Sequence, residues 1–317
     1  MNVRAFGLLM LLPAVASAAQ PPGLPDRWSD GFVYANGIRI HYYRAAPAPG
    51  KPAIVMVHGV TDIGLSWTTL TLTLQDAYDV YMPDARGHGL SDPFTAADTG
   101  DVLVKDVVEF ARAMKLEKPI LIGHSMGAAT VMRLGAEYPD LAKAIVLLDP
   151  GLGGGAPVAR PAGGAPPAPA AGPVPSATAA PDRLSISMRG SPQVLVGQNN
   201  YPFDDLVATC RRQTPKWALL DCQYWALSKK QYHGVYDDGT WQAMSGSMRT
   251  GDALARIAVP ALILKADAPP DVRKGHQEAA SVMSKGRLVH VDGAGHNLHH
   301  DQLARTVELL TGFLSAL

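Results

Sequence analysis

The sequence predicts an α/β fold: a mostly parallel sheet of about eight strands flanked by helices, with a helical insertion late in the chain. Three observations carry this. Short, uncharged, β-branched runs recur along the chain, and amphipathic stretches at helical spacing lie between them. One apolar run ends in Gly123-His124-Ser125-Met126-Gly127, a serine framed by glycines where a strand gives way to a helix-forming segment.

The first element is a hairpin. Residues 32–42 alternate around Asn36-Gly37, a pair that accepts the left-handed backbone of a type I′ turn. The apolar runs Ala53–Val57, Val80–Met82, Ile120–Ile122, Ala144–Leu148, Ala261–Leu264 and Leu288–Val291 read as buried strands. Leu103, Val107, Phe110 and Met114 mark one helix face, and Leu303, Val307, Leu310 and Leu314 mark another. The alternation breaks after Pro150. Residues 151–182 are dominated by Gly, Ala and Pro, which cannot build a packed core, and are expected to form a flexible segment. Residues 183–252 are rich in Trp, Tyr and Met and are expected to form a cap inserted into a core made of residues 19–150 and 253–317.

The amino terminus reads as a targeting segment. Arg4, the apolar run Phe6–Val15 and Ala16-Ser17-Ala18 match an export signal cleaved after Ala18, too short to span a bilayer. A periplasmic or secreted location without a membrane anchor is therefore expected. Cys210 and Cys222, the only cysteines, are then expected to form a disulfide on the order of 2–3 kcal/mol in value. With 28 basic and 28 acidic side chains in 317 residues, no net field recruits nucleic acid.

A serine hydroxyl is a poor nucleophile at neutral pH and needs a base, a group to orient that base, and donors for the oxyanion it creates. Ser125 is the nucleophile candidate. His296, in Asp292-Gly293-Ala294-Gly295-His296 after a late strand, is the base candidate. Asp267 is preferred as the acid, with Asp149 and Asp271 as alternatives, since aspartate at such turns also serves as a cap. The backbone N–H groups of Met126 and of Val60, in the His58-Gly59-Val60 loop, are the oxyanion donors expected. His58 and His124 read as buried histidines that brace these loops, and His299 and His300 as solvated residues at a helix start rather than metal ligands. Trp67, His124, Trp225 and Trp241 are expected around a largely apolar substrate pocket.

The segments "VMVHG" (55–59), "MPDARGHGLSD" (82–92), "GHSMG" (123–127) and "VDGAGHN" (291–297) together resemble the α/β-hydrolase superfamily, in its order of motifs and across nearly the whole chain after residue 18. The resemblance implies a Ser125–Asp267–His296 triad, no metal or other cofactor, and a structural role for Asp84–Asp92 that leaves Arg86 and His88 outside the chemistry. The segment after the seventh strand, Ala266 to Pro270, departs from the family's usual glycine-then-acid pattern. The serine also differs from the carboxylate that the family's epoxide hydrolases and dehalogenases carry there. The function expected is hydrolysis of a small apolar carboxylic ester or lactone through an acyl-enzyme. Amide, peptide or carbon–carbon bond hydrolysis, or ligand binding without catalysis, are the alternatives.

Overall fold

A computed structural model describes residues 20–152, 199–233 and 238–317. The expected export signal lies outside these residues. So do nearly all of the Gly/Ala/Pro segment and the first part of the cap.

Eight strands form one sheet in the order β1-β2-β4-β3-β5-β6-β7-β8. β1 (Ser29–Ala35) and β2 (Ile38–Ala45) pair antiparallel, and β2 pairs antiparallel with β4 (Asp79–Pro83). From there β3 (Ala53–Val57), β5 (Ile120–His124), β6 (Ala144–Leu148), β7 (Ala261–Lys265) and β8 (Gly286–His290) continue in parallel. The opening hairpin closes as its sequence requires, with φ of 46° at Asn36 and 77° at Gly37.

The central strands are uniformly apolar because both of their faces are covered. Along β6, Ala144, Val146 and Leu148 enter one core cluster, whereas Ile145 and Leu147 enter the other. All five side chains are fully buried. The alternation is the pleat itself, read in a strand with helices on each side. One cluster takes in α1 (Thr68–Thr71) and the end of α10 (Leu303–Leu314); the other takes in α2 (Val102–Ala113) and α3 (Met126–Glu137).

Between β6 and β7 the described residues form α4 (Phe203–Gln213), α5 (Leu219–Lys230), α6 (Asp238–Ser247) and α7 (Ala253–Arg256). Cys210 of α4 and Cys222 of α5 are joined by a disulfide. α8 (Pro270–Ala280) follows β7, and the short α9 (Leu298–Asp301) precedes α10. Among the described residues, no helix is long and apolar enough to cross a membrane.

The turn motif of residues 84–92 is a structural brace. Asp84 is fully buried and accepts hydrogen bonds from the N–H groups of Gly64 (2.7 Å) and Leu90 (3.1 Å), with His41 Nδ1 at 2.8 Å. Arg86 is buried between Asp106 and Asp98 and donates to the Asn36 carbonyl. Removing one partner from such a buried pair strands the other charge, at about 3–5 kcal/mol.

Candidate active site

Parallel strands all point their carboxyl ends the same way, so the loops that leave them gather at one edge of the sheet. The loops after β3, β5, β6 and β8 supply, in turn, residues 58–62, Ser125, Asp149 and His296.

The β5 loop is the tightest. Ser125 sits at φ 51°, ψ −112°, a backbone region costly to a residue with a side chain. Its N–H is held by the Leu148 carbonyl at 3.0 Å, and its carbonyl accepts from Ala129 at 3.0 Å as α3 begins. A Cβ on Gly123 would overlap the Gly127 carbonyl, and one on Gly127 would overlap the Val57 carbonyl. Both glycines are therefore required by contact. Met126 opens α3, so its N–H has no acceptor within the helix.

Ser125 lines a cavity of about 160 Å³ together with Gly59, Val60, His124 and His296. His296 Nδ1 lies 2.6 Å from Asp149 Oδ2. The other oxygen of Asp149 accepts the Ala266 N–H at 3.1 Å and pairs with Lys265 Nζ at 2.5 Å. Burial alone would push the Asp149 carboxyl up, but the hydrogen bonds from His296 and Lys265 and the lysine's charge outweigh it. The group is held well below the usual carboxylate range.

The structure brings Asp149, one of the alternatives from sequence, and not Asp267, against His296. Asp267 turns away from His296: it accepts the Gly293 N–H at 2.8 Å and pairs with Arg273 at 2.5 Å. Its carboxyl is depressed by those two partners, in that order, and its side chain is 42% exposed. Arg273 also grips Asp292, so this cluster pins the loop leading to His296 from outside. Asp271 lies in the exposed first turn of α8, where a carboxylate complements the helix dipole.

The histidines divide by partner. His58 donates from Nδ1 to the Gly59 carbonyl (2.7 Å) and accepts the Ala85 N–H at Nε2 (2.9 Å), tying the β3 loop to the β4 loop. His124 is buried and donates from Nε2 to the His296 carbonyl at 3.0 Å. Burial, then the neighbouring His296, brings its pKa down to about 4, so it stays neutral. Gly59 packs against its ring so closely that a Cβ there would come within 2.9 Å of Nδ1. His299 and His300 are not solvated: both are buried, with ring centroids 4.1 Å apart, and His299 lies 4.8 Å from the His124 ring. Among the described residues no group of three or more His, Cys, Asp or Glu could hold a metal ion.

Two further pocket expectations are corrected. Trp67 is 1% exposed in the core, packed against the rings of His299 and His124 behind the cavity. Trp241 packs with Phe94, Leu103 and Met126 in a separate cluster. Trp225 does line the cavity, as does His124. The lining is also far more polar than expected, since Thr61, Asp62, Ser66, Asp221, Lys229, Asn297 and His300 contribute. α5 presents Asp221, Trp225 and Lys229 at four-residue spacing on one face. Lys229 is buried and donates to the Thr61 carbonyl (2.8 Å) and hydroxyl (2.9 Å), bracing the loop that carries Val60. Trp217 lies 4.4 Å from the His300 ring and donates to Asp301 Oδ1 (2.7 Å), whose Oδ2 accepts the Gly295 N–H (2.8 Å).

Sequence reading missed Lys265, Lys229 and Asp221, and counted Trp217 only among the aromatic residues of the cap. Signals existed for two of them. Lys265 is a lone charge closing an apolar strand, and Lys229 repeats the Asp221–Trp225 interval on the same helix.

The sequence profile of the α/β hydrolase family matches residues 54–309, and the chain belongs to that family. It is 28% identical over 282 residues to an N-formylmaleamate deformylase of Pseudomonas putida, an alignment covering 86% of this chain and 91% of that one. Epoxide hydrolase A of Mycobacterium tuberculosis is 24% identical over 317 residues, covering 91% and 98%. The crystal structure of an E-2-(acetamidomethylene)succinate hydrolase superposes with a TM-score of 0.65 at 18% identity, over 91% of this chain and 99% of that one, a likeness of fold. The protein is an α/β hydrolase.

Proposed function

We propose that the chain is a serine hydrolase that cleaves a carboxylic ester or lactone through an acyl-enzyme, with Ser125 as nucleophile, His296 as base and Asp149 as the acid that orients it. The observation that carries this is the 2.6 Å contact between His296 Nδ1 and Asp149 beside a cavity that Ser125 and His296 share. Asp149 fixes the tautomer in which His296 Nδ1 carries the proton and Nε2 is free to accept one. Ser125 gives up its proton to Nε2 as Oγ attacks the acyl carbon. The imidazolium then protonates the leaving group, and water releases the acyl chain by the reverse path. The N–H groups of Val60 and Met126 receive the oxyanion, and losing one such donor costs about 3–4 kcal/mol of barrier.

The polar lining and a volume of about 160 Å³ favour a small, polar substrate over a long acyl chain. A second reading, hydrolysis of a small N-acyl amide, is favoured by the likeness to the deformylase. The serine at the elbow disfavours epoxide opening, for which the family uses a carboxylate nucleophile. Export to an oxidising compartment remains our proposal from the sequence of residues 1–18, and the Cys210–Cys222 bond is consistent with it.

The test is covalent labelling by a fluorophosphonate, with the modified residue located by mass spectrometry. Label on Ser125, lost in Ser125→Ala, supports the reading. A folded wild-type protein that takes no label would overturn it. Rates on p-nitrophenyl acetate, butyrate and octanoate, beside small lactones and N-formyl amides, then define the acyl and leaving groups. Turnover is expected to fall as the acyl chain lengthens.

A further inference from the structure

Resting on the Ser125–His296–Asp149 reading, we infer that Lys265 is a positioning residue that clamps Asp149 and lowers the basicity of the base it orients. The parallel register pairs Leu148 with Leu264, so the next residues along the two strands, Asp149 and Lys265, emerge side by side. Lys265 is only 7% exposed, and its ammonium is divided between Asp149 Oδ1 at 2.5 Å and the Pro150 carbonyl at 2.8 Å. Asp149 itself stands at φ 46°, a conformation that needs outside support in a residue other than glycine. Lys265 and the Ala266 N–H supply it from one side, leaving Oδ2 for His296.

The electrostatic consequence follows from sign. A carboxylate facing an imidazole favours the protonated ring, and a base that is already protonated cannot take the serine's proton. A fixed cation on the far oxygen offsets part of that attraction. It keeps the orienting hydrogen bond while leaving more of the ring neutral at a given pH. Among the described residues, the other groups around this pair do not supply that charge. His124 and His299 border the base and are pushed down by burial, so they stay neutral. His276 and His290, hydrogen-bonded to each other at 3.0 Å, face Lys265 and are lowered by burial and by the cations beside them, including Arg273. On the cavity side Asp62 approaches Lys229 and Asp221 approaches His300, each with its own neighbour. Among the described residues, Lys265 is the cation in contact with Asp149.

The experiment measures the second-order rate of fluorophosphonate labelling of Ser125 from pH 5 to 9, which needs no native substrate. In Lys265→Met the acidic limb of the profile is expected to move to higher pH by roughly one unit, the size of effect expected for one neighbouring charge. Lys265→Arg is expected to restore the wild-type limb. Should the methionine variant not fold, Lys265→Gln, which keeps a donor for Pro150 but drops the charge, reads the same limb. A charge-free variant whose limb overlays the wild type, even with a lower plateau, overturns the inference and leaves the triad standing. If the wild-type protein takes no label, or Asp149→Asn labels at the wild-type rate, it is the triad reading that fails.

Discussion

Two neighbouring strand ends carry an aspartate, and they do opposite things. At the end of β6, Asp149 is nearly buried, holds a left-handed backbone, and has its oxygens divided between His296 on one side and Lys265 with Ala266 on the other. Two residues beyond β7, Asp267 is exposed and spends its oxygens on Arg273 and the Gly293 N–H. Both carboxyls are held below their ordinary range, yet for different reasons: one by an imidazole and a buried cation against its own burial, the other by a backbone N–H and a surface guanidinium. A depressed carboxyl therefore does not by itself mark the group that meets His296; the partner does.

The largest effect that sharpens the contrast is His296→Ala. It removes the group Asp149 faces and is expected to lower kcat by about 10⁴–10⁶, whereas Arg273→Met, which releases Asp267, changes kcat by less than about threefold. Steady-state ester hydrolysis reads both.

Acid stability comes next. Burial lowers His58, His88, His124 and His299, so the unfolded chain binds protons that the folded protein refuses. Their contribution is complete above the ordinary histidine range near pH 6.5 and is lost as pH falls toward the folded values, about 4 for His124. His41 has the opposite sign, because Asp84 and Asp30 outweigh its burial, and it offsets part of the loss. The melting temperature is expected to drop between pH 7 and pH 5 by several degrees. A flat melting temperature across that interval counts against the buried, neutral histidines.

Cys210→Ser with Cys222→Ser is expected to cost on the order of 2–3 kcal/mol, read as a lower denaturation midpoint. Because Trp217 lies inside the closed loop and reaches Asp301 beside the His296 loop, KM is also expected to rise. The smallest effect on stability is that of Trp217→Phe. It keeps the ring against His300, drops one hydrogen bond, and is expected to cost about 1 kcal/mol of stability.

The sheet was legible because its strands are short, branched and buried on both faces, so composition alone marks them. Ser125 was legible because the constraints on its turn are local: the glycines that must lack Cβ atoms are its sequence neighbours. The carboxylate that meets His296 was not, because choosing between the ends of β6 and β7 depends on which loop the β8 loop crosses, a tertiary fact. The Lys265 charge after Ile263-Leu264 was the missed clue, since an ammonium closing a buried strand needs a counter-ion on the strand beside it. The pocket's polarity was hidden for a similar reason. Trp67 and Trp241 look like binding aromatics in sequence, but Trp67 fills the core and Trp241 packs half-buried against a separate cluster, while Lys229 is turned inward.

The measurement that tests the account most directly is the turnover of one small ester by Asp149→Asn and Asp267→Asn, assayed side by side and normalised to folded protein. The account predicts a loss of roughly 10⁴-fold for the first and less than about threefold for the second. Equal losses, or the larger loss at residue 267, would contradict it.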